Sequence, residues 1–221
     1  MSFDADSIQT ETFAIPKIIP FFPLPNVVLF PHIYLPLHIF EPRYRAMVKD
    51  TVSKGDCIGM ALLKEGWEDL YYEIPPIHEL GCVGQLVNVE ELDDGRYNII
   101  LKGLQRCRYD EQSVSTPYRQ AKLTLLPESL KSRNLASVAR TKLVEVAESY
   151  LDLKKAHDLS QLIASEEFDD AVLVNSLSSG LDLTPLEKQF LLEAEDLLQR
   201  TRRLTDLLKF KLADLHSSSQ G

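Results

Sequence analysis

The stretch FPLPNVVLFP occupies residues 22–31, and the stretch LPLHIFEPRYR follows it at residues 35–45. Prolines bracket two short apolar runs in this region, Lys17–Phe22 and Asn26–Phe30. Because proline has no backbone N–H to donate to a neighbouring strand, it confines strand pairing. We therefore expect both runs to be short strands at the margin of a barrel or sheet.

The β-rich pattern continues around one inserted helix. Ile33–Phe40 has the composition of a buried strand, and Pro42 suits the first position of a helix that stops before Gly55. The further strand-like runs are Cys57–Leu63, Gly81–Leu92, Arg96–Leu104 and Tyr118–Leu125.

A hairpin is predicted in the middle of the chain. Asp93-Asp94-Gly95 is a polar connection that contains glycine, which is typical of a hairpin turn. After it, Tyr97, Ile99 and Leu101 alternate with polar residues, so one face of this strand is expected to be buried.

Beyond Leu126 the apolar residues recur at helical spacing. Gly180 is expected to end a helix that begins near Ser165 or Glu166, through a left-handed C-cap. Thr184-Pro185-Leu186-Glu187 has the pattern of a capping box at the start of another helix. One predicted stripe contains Leu135, Ala139, Leu143, Val146, Tyr150 and Leu153, and a second runs from Phe190 to Leu215 with an interruption near Asp196.

These patterns predict an α+β fold. A β-rich, barrel-like lobe is expected over residues 15–126, and an α-helical lobe over residues 127–216. The segments 1–14 and 217–221 are expected to be flexible.

The charge balance argues against a nucleic-acid binder. The formal net charge is -9 and the pI is about 5.1, whereas proteins that contact phosphates usually present a basic face. The clusters Arg106/Arg108 and Arg200/Arg202/Arg203 are therefore interpreted as solvated faces.

The cysteine content favours the reducing cytoplasm. Cys57, Cys82 and Cys107 are odd in number and form no C-x-x-C pair, so neither a disulfide framework nor a zinc site is indicated. We expect all three to be buried, inert thiols. The first fifteen residues lack the cationic start and apolar core of a signal peptide, and no apolar run is long enough to cross a bilayer.

Motifs of catalysis were not found in the sequence. It contains no G-x-x-x-x-G-K-[ST] loop, H-E-x-x-H pair, G-x-S-x-G elbow or S-x-x-K pair. Glu41 and Arg43 could be catalytic in principle, but a carboxylate at the start of a helix and an arginine that forks onto it are commonly architectural. We therefore predict a protein that is not an enzyme and has no catalytic residues, cofactor or metal.

The proline-framed stretches at residues 22–31 and 35–45 resemble the opening of the Lon protease N-terminal domain family. GCVG at residues 81–84 and DGRYNI at residues 94–99, followed by Gly103 and Arg106, resemble the central hairpin and next strand of that family. The resemblance implies a strongly twisted, PUA-like β-barrel lobe followed by a helical bundle. It also implies structural roles for Glu41, Arg43, Asp94, Gly95, Arg96 and Arg106.

In full-length Lon proteases this domain helps to select unfolded or tagged polypeptides. The resemblance thus implies a stand-alone polypeptide-binding or adaptor module without ATPase or peptidase activity, whose partners include a protease or chaperone. Two alternatives stay open: a PUA-like nucleic-acid-binding module, and a small-molecule sensor or hydrolase that uses a pocket between the lobes.

Such a module would bind extended apolar peptide along a strand edge or in a groove between the lobes. The candidate contact residues are Trp67, Leu70, Tyr71 and Tyr72, because loop aromatics are effective anchors. The competing interpretation is that Tyr71 and Tyr72 lie in a strand while Trp67 covers the barrel end.

Overall fold

The computed structural model describes residues 14–54, 56–71, 73–128, 135, 137–154, 163 and 169–218. The strands are β1 (Ile18–Leu24), β2 (Tyr34–Ile39), β3 (Cys57–Leu62), β4 (Leu80–Glu91), β5 (Tyr97–Gln112) and β6 (Gln120–Leu126). The helices in the described part are α1 (Pro42–Lys54), α2 (Ser137–Lys154), α3 (Asp170–Gly180), α4 (Pro185–Leu192) and α5 (Leu197–Ser218).

Strand β5 closes the sheet into a ring. The strand order is β2-β5-β4-β3-β1-β6, and β6 pairs back onto β5. The first half of β5 pairs with β2, and the second half, from Arg106 to Gln112, pairs with β6. All pairings are antiparallel except that of β1 with β3. The predicted α+β fold, a barrel-like lobe followed by helices, is confirmed.

Tyr109 lies in the interior of the ring. Its ring stacks on Phe21 with 5.2 Å between centroids, and its hydroxyl donates a hydrogen bond of 2.9 Å to the carbonyl of Met60. A Cβ atom at Gly59 or Gly81 would lie 2.7 Å or 2.6 Å from the Tyr109 ring. Two glycines therefore make room for one large aromatic in a small barrel.

Helix α1 covers one side of the ring. Its residues Tyr44, Met47 and Val48 are buried in a cluster that includes Tyr97, Ile99 and Leu101. The prediction that these three β5 residues share a buried face is therefore confirmed.

The turn between β4 and β5 favours glycine because of its backbone conformation. Gly95 has a φ of 77°, a left-handed conformation that other residues rarely adopt. A Cβ atom there would also lie close to the guanidinium of Arg45 on α1, which is the end of a flexible side chain and can move aside. The predicted hairpin at Asp93-Asp94-Gly95 is confirmed, and Asp94 forms an ion pair of 2.6 Å with Arg96.

The prediction of a strand over Asn26–Phe30 is wrong. The segment has no strand structure, although Val28, Leu29 and Phe30 are buried. Leu29 packs into the cluster beneath α1, whereas Val28 and Phe30 pack into the core of the helical lobe. The composition resembles that of a buried strand because the segment is enclosed between two cores.

Several predictions for the helical lobe agree with the structure. The capping box at Thr184 and Glu187 is confirmed, and α4 and α5 are separated near Asp196. Leu143 and Tyr150 of the first predicted stripe are buried, but Leu153 is half-exposed.

Helix α3 differs from its prediction at both ends. It begins at Asp170 with Asp169 as its cap, and its final residue, Gly180, is followed by Leu181 with a φ of -71°. The left-handed C-cap is wrong because an extended residue ends the helix. Ser165 and Glu166 lie outside the described residues.

The prediction that both arginine clusters are solvated is wrong for Arg106 and Arg200. Their side chains are 3% and 0% exposed, and both approach the carboxylate of Glu128, at 3.6 Å and 2.6 Å. Arg106 also donates to the carbonyls of Leu192, the last residue of α4, and of Ala194 and Glu195 just after it. Burial and the charge of Arg200, partly offset by Glu128, lower the pKa of Arg106 to about 10. Arg106 thereby ties the barrel to the helical lobe.

We expect Arg106→Met to lower the free energy of unfolding by about 3 kcal/mol, because three carbonyls lose a buried donor and the Glu128 carboxylate loses a nearby positive charge. Urea denaturation followed by circular dichroism measures this loss. Arg108→Met is the matched control: Arg108 is 57% exposed, and its loss should cost less than about 1 kcal/mol. Equal effects of the two substitutions would contradict the interface role of Arg106.

The three cysteines are buried free thiols, as predicted. Burial, together with the neighbouring Asp56, raises the pKa of Cys57 to about 12. Burial also raises the pKa of Cys107 to about 12 and that of Cys82 well above its usual value. The reactive thiolate form is therefore scarce at neutral pH.

Native protein at pH 8 is expected to react with dithiobis(nitrobenzoic acid) far more slowly than unfolded protein does. The raised thiol pKa values and the enclosure of the sulfur atoms both oppose attack. Absorbance at the thionitrobenzoate band would follow the reaction, and guanidinium should release all three thiols. A fast, one-thiol phase in the native protein would show that one cysteine is accessible.

Candidate functional site

The segment after β3 presents the predicted contact residues. Gly66 has a φ of 81°, and Glu68–Leu70 forms a short 3-10 turn in which the amide of Leu70 donates to the carbonyl of Trp67 at 3.1 Å. Leu70 is 36% exposed, and Trp67 is half-buried. The interpretation that Tyr71 lies in a strand is wrong, since Tyr71 follows the 3-10 turn; Tyr72 lies outside the described residues.

Tyr71 is held by residues at the start of α1, and Trp67 packs against Tyr71. Their rings meet edge to face, with centroids 5.6 Å apart. The Tyr71 hydroxyl donates to the carboxylate of Glu41, and the guanidinium of Arg43 lies 5.0 Å from the Tyr71 ring. We call Glu41, Arg43, Trp67 and Tyr71 the aromatic cluster.

Glu41 and Arg43 have architectural contacts within this cluster. The carbonyl of Glu41 accepts the amide of Arg45 at 2.9 Å, and its carboxylate accepts the Arg43 Nε at 3.0 Å. Burial by itself would lower the pKa of Arg43, but Tyr44, Glu41 and Tyr71 outweigh it and raise that pKa. Burial and the hydrogen bond to Glu41 raise the pKa of Tyr71. Arg43 therefore keeps its charge, and Tyr71 its phenol proton, through the neutral range.

A cleft opens beside the aromatic cluster. Its volume is about 370 Å³. Burial raises the pKa of Tyr44 to about 12, and burial with the hydrogen bond to Asp50 does the same for Tyr118. Both tyrosines are therefore neutral at physiological pH. Both are also buried, and the Tyr118 hydroxyl donates to Asp50 at 2.6 Å, so they form the floor of the cleft. The cleft is lined by Glu41, Pro42, Arg43, Tyr44, Glu73, Pro117, Tyr118 and Arg119.

Sequence reasoning missed the far wall of this cleft. Arg119 lies just before β6. Its guanidinium donates to the two carboxylate oxygens of Glu111 at 2.7 Å and 2.6 Å and to the carbonyl of Pro75 at 2.8 Å. Tyr118 and Arg119 are distant in sequence from Glu41, and no local pattern marks them. Tyr44 could have been identified, because it lies in the stretch at residues 35–45 that carries the family resemblance.

The other sequence-predicted residues lie at two different places. Asp94, Gly95 and Arg96 form the β4–β5 turn, where Arg96 also approaches His38 at 3.1 Å. Arg106 lies in the interface between the lobes. The aromatic cluster is therefore built from Glu41, Arg43, Trp67 and Tyr71, with Leu70 beside it.

A polar recess lies between the lobes. Its volume is about 330 Å³, and His78 of the barrel lobe lies 3.3 Å from Glu193 of the helical lobe. Among the described residues, no group of three or more His, Cys, Asp and Glu side chains could hold a metal ion. The described helices include none long and apolar enough to span a membrane.

Comparison with known proteins gives a consistent result. Residues 18–209 match the family described as the ATP-dependent protease La (LON) substrate-binding domain. The Lon protease of Parabacteroides distasonis is 31% identical over 98% of this chain and 27% of its own length. Lon protease 2 of Myxococcus xanthus is 27% identical over 93% of this chain and 25% of its own length. The chain thus spans about a quarter of the length of these relatives.

Two solved structures share the fold. The N-terminal domain of Mycobacterium avium complex Lon protease has a TM-score of 0.67 at 17% identity and covers 87% of this chain and 98% of its own. The Lon N-terminal domain protein from Xanthomonas campestris has a TM-score of 0.60 at 23% identity and covers 87% of this chain and 97% of its own. The resemblance inferred from the proline-framed stretches is confirmed: the chain belongs to the family of ATP-dependent protease La (Lon) substrate-binding domains.

Proposed function

We propose that this domain binds extended polypeptide segments non-covalently, without catalysing a reaction on them. The observation that carries the proposal is the aromatic cluster with its adjacent cleft. Leu70 and the half-buried rings of Trp67 and Tyr71 form an amphipathic surface of the kind that anchors peptides. Membership of a family of substrate-binding domains supports the same role.

Pre-organisation favours this surface as the contact site. Arg43 contacts the Tyr71 ring and also donates to the Tyr71 carbonyl at 3.4 Å, while Glu41 accepts the Tyr71 hydroxyl. Because these contacts hold the ring in place before a ligand arrives, less conformational entropy is lost on binding.

The edge of β2 is a weaker candidate. No described strand pairs with its second edge. The amide of Gly103 donates to the carbonyl of Ile33 at 2.8 Å, so the backbone groups of Ile33 point towards β5. Successive residues of an antiparallel strand point their backbone groups to alternate sides. Those of Tyr34, Pro36 and His38 therefore point away from β5. Pro36 has no N–H, so the row of donors on the free edge is interrupted at its centre.

The proposed ligands are unfolded or tagged polypeptides, and the proposed biological role is that of an adaptor to a protease or chaperone. The part of its Lon protease relatives that this chain matches is the substrate-binding domain. A non-catalytic role agrees with the contacts of Glu41 and Arg43, whose charged groups pair with each other and with Tyr71.

We expect Trp67→Ala to weaken binding of a permanently unfolded, fluorescently labelled protein about five- to thirtyfold, because removal of an aromatic anchor typically costs 1–2 kcal/mol. Fluorescence anisotropy measures the dissociation constant. The matched control is Phe210→Ala on α5, which removes an aromatic side chain that is 72% exposed on the other lobe.

Phe210→Ala should bind as the unaltered protein does, and both variants should keep its circular dichroism spectrum. If the unaltered domain binds no unfolded protein at any salt concentration, the proposed function is wrong. If Trp67→Ala and Phe210→Ala weaken binding equally, the contact surface lies elsewhere.

A further inference from the structure

The surface around Trp67 and Leu70 carries an excess of negative charge. Glu65, Glu68, Asp69 and Glu73 are all exposed. None of them takes part in a salt bridge within the described part of the chain. Between residues 64 and 73 the one basic residue is Lys64.

The arginines of the neighbouring cleft do not balance this charge. Arg43 is paired with Glu41 at 3.0 Å, and Arg119 is paired with Glu111 at 2.6 Å. Each guanidinium already has a carboxylate partner within the protein. The carboxylate of Glu73, at the cleft wall, therefore adds to the negative potential that a ligand meets.

The aromatic surface is suited to the same kind of ligand. A cationic side chain is attracted to the face of a tryptophan ring, and Trp67 supplies such a ring beside the carboxylates. Arg43 already lies over the Tyr71 ring, which packs against Trp67. Lysine and arginine have apolar stems that can cover Leu70 or Trp67 while their charged ends reach Glu68 or Asp69. A single lysine or arginine of the ligand would thus make both the apolar contact and the ionic contact.

We propose that the site selects polypeptide segments in which apolar residues alternate with lysine or arginine, and discriminates against segments rich in aspartate or glutamate. The proposal rests on the proposed function and adds the class of ligand. Complementary charge should raise the association rate and give specificity, and like charge should exclude acidic segments.

The test uses three labelled peptides with identical apolar residues and with lysine, glutamine or glutamate at the spacer positions. We expect the lysine peptide to bind at least tenfold more tightly than the glutamate peptide at low salt. This preference should shrink as the salt concentration rises, since exposed charges are screened. Fluorescence anisotropy at several salt concentrations gives the dissociation constants.

Two variants locate the preference. E68Q/D69N should weaken binding of the lysine peptide about three- to tenfold and leave the glutamine peptide unchanged. E68K/D69K should reverse the order of the lysine and glutamate peptides. The control E145Q/E148Q removes the same charge from exposed positions on α2 and should leave all three dissociation constants unchanged.

The outcomes separate this inference from the proposed function. Equal affinity for the three peptides, with Trp67→Ala still weakening all of them, would overturn the charge selection and leave polypeptide binding intact. Absence of binding to every peptide and to unfolded protein would overturn both. Equal effects of E68Q/D69N and E145Q/E148Q would show that net charge, and not this surface, sets the preference.

Discussion

Two buried guanidinium groups that converge on one carboxylate hold the two lobes together. Arg106 comes from β5 and Arg200 from α5, and both approach Glu128, which follows β6. Two like charges in a buried place would be strongly unfavourable without compensation. Part of the compensation comes from the carbonyls of Leu191 and Leu192 at the end of α4, where the helix dipole is negative. Asn175 completes the arrangement by accepting from Arg200 at 2.8 Å.

This arrangement matters for the barrel as well as for the interface. Arg106 lies where β5 changes its partner from β2 to β6. The same residue therefore connects strand pairing to the packing of the helices. With the ring closed and one side attached to the helical lobe, the connections between strands are the parts available to build a binding surface.

The aromatic cluster is built from two of these connections. Its aromatic residues follow β3, whereas Glu41 and Arg43 belong to the turn into α1. The far wall of the cleft comes from a third segment, the residues just before β6. The geometry accordingly suits recognition by contact: rings and a leucine for apolar groups, and carboxylates at the rim for charge. The chain belongs to the family through this one domain, which spans about a quarter of the length of its Lon protease relatives.

Local patterns in the sequence determined the hairpin at Asp94-Gly95, the capping box at Thr184 and the change from strands to helices near Leu126. Each depends on backbone preferences or periodicity within a few residues, so neighbouring residues carry the information. Only the tertiary structure decided that Asn26–Phe30 is unpaired and that Arg106 and Arg200 are buried. It also decided that Tyr118 and Arg119 face Glu41 and Arg43. These outcomes depend on contacts between residues far apart in the chain, where burial and pairing are set by the partner and not by the local sequence.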